Sequence, residues 1–142
     1  MEAVSLLPTP APLDVSVRLD MVITAFLRLI VDTEVQQRTM LRLSLEPDPS
    51  RRGDLPLRKG RAIGWITEAL APLRGRLSDG DLRHLAMGIR SVAGIEALVW
   101  LTDIAGLSRK EAVEMMRWSA GALLRTALAE KGRAGQRSRR AK

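Results

Sequence analysis

WLTDIAGLSRKEAVEMMRW, the stretch from Trp100 to Trp118, decides how this chain folds. An apolar run of helical period reaches Gly106 and stops. Ser108 then caps a new helix, with Glu111 spaced to complete a capping box. Helix, glycine turn and capped helix are also the outline of a DNA-reading helix-turn-helix. The second helix separates the two possibilities. A recognition helix is short and offers a polar face to phosphates and base edges. The helix after Ser108 extends to about Glu130. Its apolar residues Ala112, Val113, Met116, Ala120, Leu123, Leu124 and Ala127, flanked by Met115 and Ala122, cover more than half of its circumference. Only Lys110, Glu114, Arg117, Gly121 and Arg125 form a polar strip. A surface helix hides roughly a third of its circumference, so one covered this widely packs on two sides. The preceding helix is equally apolar, and a small domain has too little protein to cover both. The second cover expected is a twofold copy of the chain, with Val113, Met116, Ala120, Leu123, Leu124 and Ala127 forming a homodimer interface.

Leu85 to Ala105 holds only three charges, Arg90, Glu96 and Asp103. They sit inside the run and nothing extends it. It therefore reads as one buried helix, capped by Ser78 and running to about Ala105, and not as a membrane span. Buried charges need partners, which Arg90 and Glu96 are expected to find in neighbours such as Arg38 or Arg42. Earlier, Asp14 caps a first helix with a face of Val15, Leu19, Val22, Phe26 and Leu29. Thr33 and Gln36 have capping-box spacing and open a second helix reaching about Glu46. PDPSRRGDLP is a turn-rich loop, and a third helix spans about Leu57 to Ala71, ended by Pro72. No strand pattern or internal repeat is visible. The predicted fold is all-α, one bundle of about five helices over residues 14–130. A Pro-rich leader (1–13) precedes it and a basic tail (131–142) follows.

A chain of 142 residues suits one domain that buries most of the surface its unfolded state exposes. The absence of cysteine excludes disulfides and thiolate metal sites and fits a cytoplasmic setting. MEAVSLLPTPAPL has an acid where an export signal needs a base, and prolines cut its apolar run. The net charge of +7 resides in the tail. Lys131, Arg133, Arg137, Arg139, Arg140 and Lys142 supply six bases and no acid, leaving the first 130 residues at +1. Such a tail is expected to be disordered and to contact phosphates without sequence preference. His84 is the single histidine, without a second one or a carboxylate cluster to share a metal. No serine sits in a nucleophile elbow, and no glycine loop has phosphate-binding spacing. Catalytic residues, cofactor and metal are therefore all read as none, and the chain as not an enzyme.

GIEALVWLTDIAGLSRKEAVEMMRWSAGALLR, Gly94 to Arg125, resembles the last two helices of tetracycline-repressor-like (TetR) transcriptional regulators. TMLRLSLE (Thr39 to Glu46) and LRKGRAIGWITEALAPL (Leu57 to Leu73) are similar to earlier helices of the same regulatory domain. The resemblance covers about residues 14–129. It implies a domain that binds a small effector and dimerises through its last two helices. It also implies a DNA-binding head of three helices ahead of this domain, containing a tyrosine motif. Here 13 residues precede the first helix and the chain has no tyrosine. DNA binding is therefore expected only through a head missing from this chain or weakly through the tail.

The resemblance further implies an apolar cavity between helices, closed by a few polar groups. Phe26, Met40, Trp65, Met87 and Trp100 are the large side chains able to line it, with Arg90 or Glu96 as polar anchor. Trp65 and Trp100, on the third and fourth helices, are expected to face one another across it. The function expected is an effector-sensing, dimerising regulatory domain taking a small apolar ligand, with no membrane partner. One alternative is a small nucleic-acid-associated protein acting through its tail. Another is a headless dimerisation antagonist of related regulators.

Overall fold

Asp14 starts the first helix as expected: its carboxylate accepts a hydrogen bond from Val17 N at 3.0 Å. The computed structural model describes residues 4–48, 50 and 60–141, and all regular secondary structure among them is helical. Helix α1 (Val15–Asp32) buries Leu19, Val22, Ile23, Phe26, Leu27 and Ile30, a stripe at helical spacing. Leu29, expected on that stripe, is exposed. Thr33 does not cap the next helix with its side chain; its hydroxyl donates back to Leu29 O at 2.7 Å. The expected Thr33–Gln36 capping box is therefore not formed, and α2 (Glu34–Ser44) begins with Glu34 in its first turn.

Helix α3 (Arg61–Ala69) follows; its expected start at Leu57 falls outside the described residues. The chain turns at Ala71–Leu73 around Pro72. The end of α3 is closed from a distance. Arg18 of α1 donates to Glu68 O at 2.8 Å and Ala69 O at 3.1 Å, and also reaches Pro12 O at 3.1 Å. A guanidinium on the last carbonyls both satisfies them and complements the helix dipole.

Helix α4 (Asp79–Val92) is capped by Ser78, whose hydroxyl accepts from Asp81 N at 3.0 Å. It does not run on to Ala105. The chain breaks at Ala93–Gly94, where Gly94 adopts φ +155°, and resumes as α5 (Ile95–Val99) and a π-helical turn (Trp100–Ile104). Ala105 N donates to Trp100 O at 3.0 Å, the wider bond of that turn. Asp79–Ile104 taken together is long and apolar enough to cross a membrane, with a mean hydropathy of 1.4.

Gly106 (φ +77°) turns the chain where expected, and Ser108 with Glu111 forms the expected capping box ahead of α6 (Arg109–Arg140). Ala112, Met116, Ala120 and Leu124 of α6 are buried, and the helix packs against α1 and α4. These four residues complete the core from the C-terminal side of the Gly106 turn. Three expected interface residues, Met116, Ala120 and Leu124, are 1% exposed inside this chain's own core. Val113, Leu123 and Ala127 pack half-buried against that core. Apolar width on a helical wheel reports how much surface is covered, not which sector faces inward.

From residue 4 the leader belongs to the folded unit: Leu6 and Leu7 pack on the core, Trp65 Nε1 donates to Val4 O at 3.0 Å, and Ser5 Oγ donates to Glu68. The tail expected to be disordered continues α6 through Arg140, with every described residue after Glu130 exposed. Nothing between Glu130 and Arg140 forces a stop; arginine is a good helix former, and Arg137, Arg139 and Arg140 suit the negative end of the dipole. Lys142 lies outside the described residues.

Candidate ligand-binding cleft

The break at Gly94 shapes the space beside it. With α5 turned to contact α2, a cleft of about 420 Å³ opens between the ends of α1 and α4 and the starts of α2, α3 and α5. Its walls are apolar: Phe26, Ile30, Met40, Ala62, Trp65 and Ile95, with Leu29 at the rim. The Phe26 and Trp65 rings meet with centroids 6.1 Å apart and planes at 54°. That tilted geometry is one that aromatic pairs favour. Trp65 is held by its indole hydrogen bond to Val4 O, so the leader fixes one wall.

Four polar side chains converge on this apolar surface: Thr33, Gln37, Arg61 and Arg90. Thr33 Oγ1 accepts from Gln37 Nε2 at 3.3 Å. Arg90 pairs with Glu96 at 2.9 Å, donates to Ala93 O at 3.3 Å, and lays its guanidinium 5.8 Å from the Phe26 centroid. The anticipated partners of Arg90 and Glu96, Arg38 and Arg42, are thus corrected: the two charges pair with each other across the Gly94 bend. Gly94 leaves room for this, since a Cβ there would stand 2.9 Å from Arg90 Cζ and 3.2 Å from a Glu96 carboxylate oxygen.

Of the residues read from the sequence as pocket-lining, Phe26, Met40, Trp65 and Arg90 line the cleft, and Glu96 abuts it through Arg90. Met87 and Trp100 do not. Both are more than half exposed, Met87 on α4 and Trp100 at the π turn, and neither joins Trp65 in this cleft. Both were placed on an unbroken fourth helix; the bend at Gly94 changes the direction of everything after it. Thr33, Gln37 and Arg61 were missed. Each lies at or near a helix start, where sequence periodicity gives the weakest account of side-chain direction.

A charged network braces the cleft from outside. Glu34 receives Arg109 Nε at 2.5 Å and Arg38 Nε at 2.8 Å, and Arg38 grips Asp103 with 2.7 and 2.8 Å bonds. It ties α2 to the π turn and to the first turn of α6. Arg109, then Arg38, hold the Glu34 carboxyl down to about 2 against the opposing effect of burial. Arg38 and Thr102 hold Asp103 at about 2, and the two carboxylates raise Arg38 above its ordinary value. Among the described residues no group of three or more potential metal ligands occurs. His84 is exposed on α4, facing a groove against α6.

Fold and site together define an all-α helical domain with one aromatic-floored cleft among its inter-helix spaces. Comparison with protein-family models, curated proteins and solved structures finds no match.

Proposed function

We propose that this chain is a ligand-sensing, dimerising regulatory domain of the tetracycline-repressor-like type. The cleft carries the reading. A concave site of about 420 Å³, apolar and aromatic with a few convergent polar groups, has the size and lining of a site for a small molecule. Its position supports a sensing role. The walls come from α1, α2, α3 and the α4–α5 bend, so a ligand touching them all would bias the angle at Gly94 and, through Asp103, Arg38 and Glu34, the start of α6.

The partner surface proposed is the exposed sector next to the one first expected. Met115 (43% exposed) and Trp118 (65%) stand on α6, with Trp100 (55%) and Ile104 at the π turn. Large apolar side chains exposed on the last two helical elements suit a twofold copy of the same elements. A thermal screen with neutral and charged apolar compounds tests the sensing part; light scattering tests the dimer. A second reading, phosphate binding by the end of α6, is favoured by Arg133, Arg137 and Arg140, which recur on one exposed helical face.

A further inference from the structure

The cleft's charge is one-sided. Of its described lining residues two are cationic, Arg61 and Arg90, and none is acidic. The two cations are not equivalent. Arg90 is already satisfied: Glu96 takes both ends of its guanidinium, at 2.9 and 3.3 Å, and Phe26 backs its face. Arg61 is the first residue of α3, exposed at the mouth, and among the described residues no carboxylate pairs with it. Gly60 and Ala62, either side of it, lie on the same wall. Beyond this cationic mouth the walls are Phe26, Trp65 and Met40. A cation without a carboxylate partner among the described residues, at the entrance to an apolar, aromatic space, sets the polarity of the guest: charged group outward, hydrocarbon inward. A neutral guest would leave Arg61 to water, and a cationic guest would meet its like charge at the entrance.

We infer that the ligand is an apolar organic anion, a carboxylate with an aromatic or alicyclic body, whose carboxylate sits on Arg61 and whose body sits between Phe26 and Trp65. The inference rests on the reading of the cleft as a ligand site. Guanidinium and carboxylate match as a bidentate pair, which gives the acid an advantage over an isosteric amide.

Titration calorimetry on the whole chain tests this with three probes of one shape: 2-naphthoate, 2-naphthamide and 2-naphthylmethylammonium. The acid is expected to bind at least about tenfold more tightly than the amide, the scale of one charge-assisted hydrogen bond. The amine is expected not to bind. Arg61→Gln should remove the preference for acid over amide while leaving amide binding unchanged, and Arg61→Lys should restore part of it. Arg61 is exposed, so the variants should fold, which circular dichroism checks. Equal binding of acid and amide overturns the anion assignment and leaves the cleft as a ligand site. Acid preference that survives Arg61→Gln overturns the role of Arg61. Absence of binding by all three overturns the assignment and its parent reading together.

Discussion

The Arg90 guanidinium stands 5.8 Å from the centroid of the Phe26 ring while Glu96 holds its far edge at 2.9 Å. One residue allows this arrangement. Gly94 bends the chain between the two charges at φ +155°, a conformation that L side chains rarely adopt. Gly94→Ala forces a methyl group against the ion pair and strains the bend. The expected cost is about 1–3 kcal/mol in urea unfolding. A variant as stable as the parent would mean that the bend does not depend on glycine.

Glu34 makes the domain acid-sensitive in a defined window. Its carboxyl ionises at about 2 in the folded chain against an ordinary 4.5, chiefly through Arg109. A group with a lowered folded value stabilises fully above its unfolded value and loses that contribution as pH falls through the folded one. The Glu34 contribution should therefore be complete above about pH 4.5 and decline toward pH 2. The Glu34 side chain is 13% exposed but Arg109 is 56% exposed, so solvent screening trims the gain to about 1–3 kcal/mol. Urea midpoints of parent and Glu34→Gln should differ at pH 7 and converge at pH 2–3. A constant difference across that range would contradict the network.

How far the sequence could be read follows from where its signals are local. The caps at Asp14, Ser78 and Ser108 and the turn at Gly106 involve residues within a few positions of each other, and all appear where the sequence puts them. Phe26, Met40 and Trp65 were candidates as large side chains for the cavity that the resemblance implies, and Arg90 as its polar anchor; Met87 and Trp100, chosen on the same ground, lie outside the cleft. The break at Gly94 was not legible. Glycine within an apolar run is tolerated in a helix, and only the packing of Arg90 over Phe26 and of α5 on α2 selects the bent form. Thr33 shows the same limit at a cap, where its hydroxyl had two local partners and took Leu29 O. The Glu34–Arg38–Asp103–Arg109 network joins residues up to 75 positions apart, which periodicity cannot detect.

Dimerisation should respond to surface residues and not to core ones. Trp118→Glu combined with Met115→Glu places charge on the exposed sector and should weaken self-association by at least about a hundredfold while the monomer stays folded. Leu124→Glu, inside the core, should instead unfold the domain. Multi-angle light scattering with circular dichroism separates the two. A parent that is monomeric at high micromolar concentration removes the proposed interface.

Phosphate binding by the end of α6 should be indifferent to sequence and steeply weakened by salt. Six basic residues from Lys131 to Lys142 set a log–log slope no steeper than about −5. Removal of residues 131–142 should abolish binding to random duplexes. Selective, tight binding that persists after the removal would return DNA reading to the helices themselves.

The cleft is tested most directly through Trp65, the only tryptophan that lines it. Trp100→Phe with Trp118→Phe leaves Trp65 as sole reporter, and both replaced residues are exposed. Its emission is followed while cyclohexyl and aliphatic acids and amides, which do not absorb with tryptophan, are titrated in. The expected result is a saturable emission shift matched by a rise in melting temperature, worth about 2.7 kcal/mol at a hundred times the dissociation constant. The melting response should vanish in Ala62→Trp, because the added ring fills the cleft. Emission and melting temperature unchanged by every compound, or a melting response that survives Ala62→Trp, would contradict a ligand site between Phe26 and Trp65.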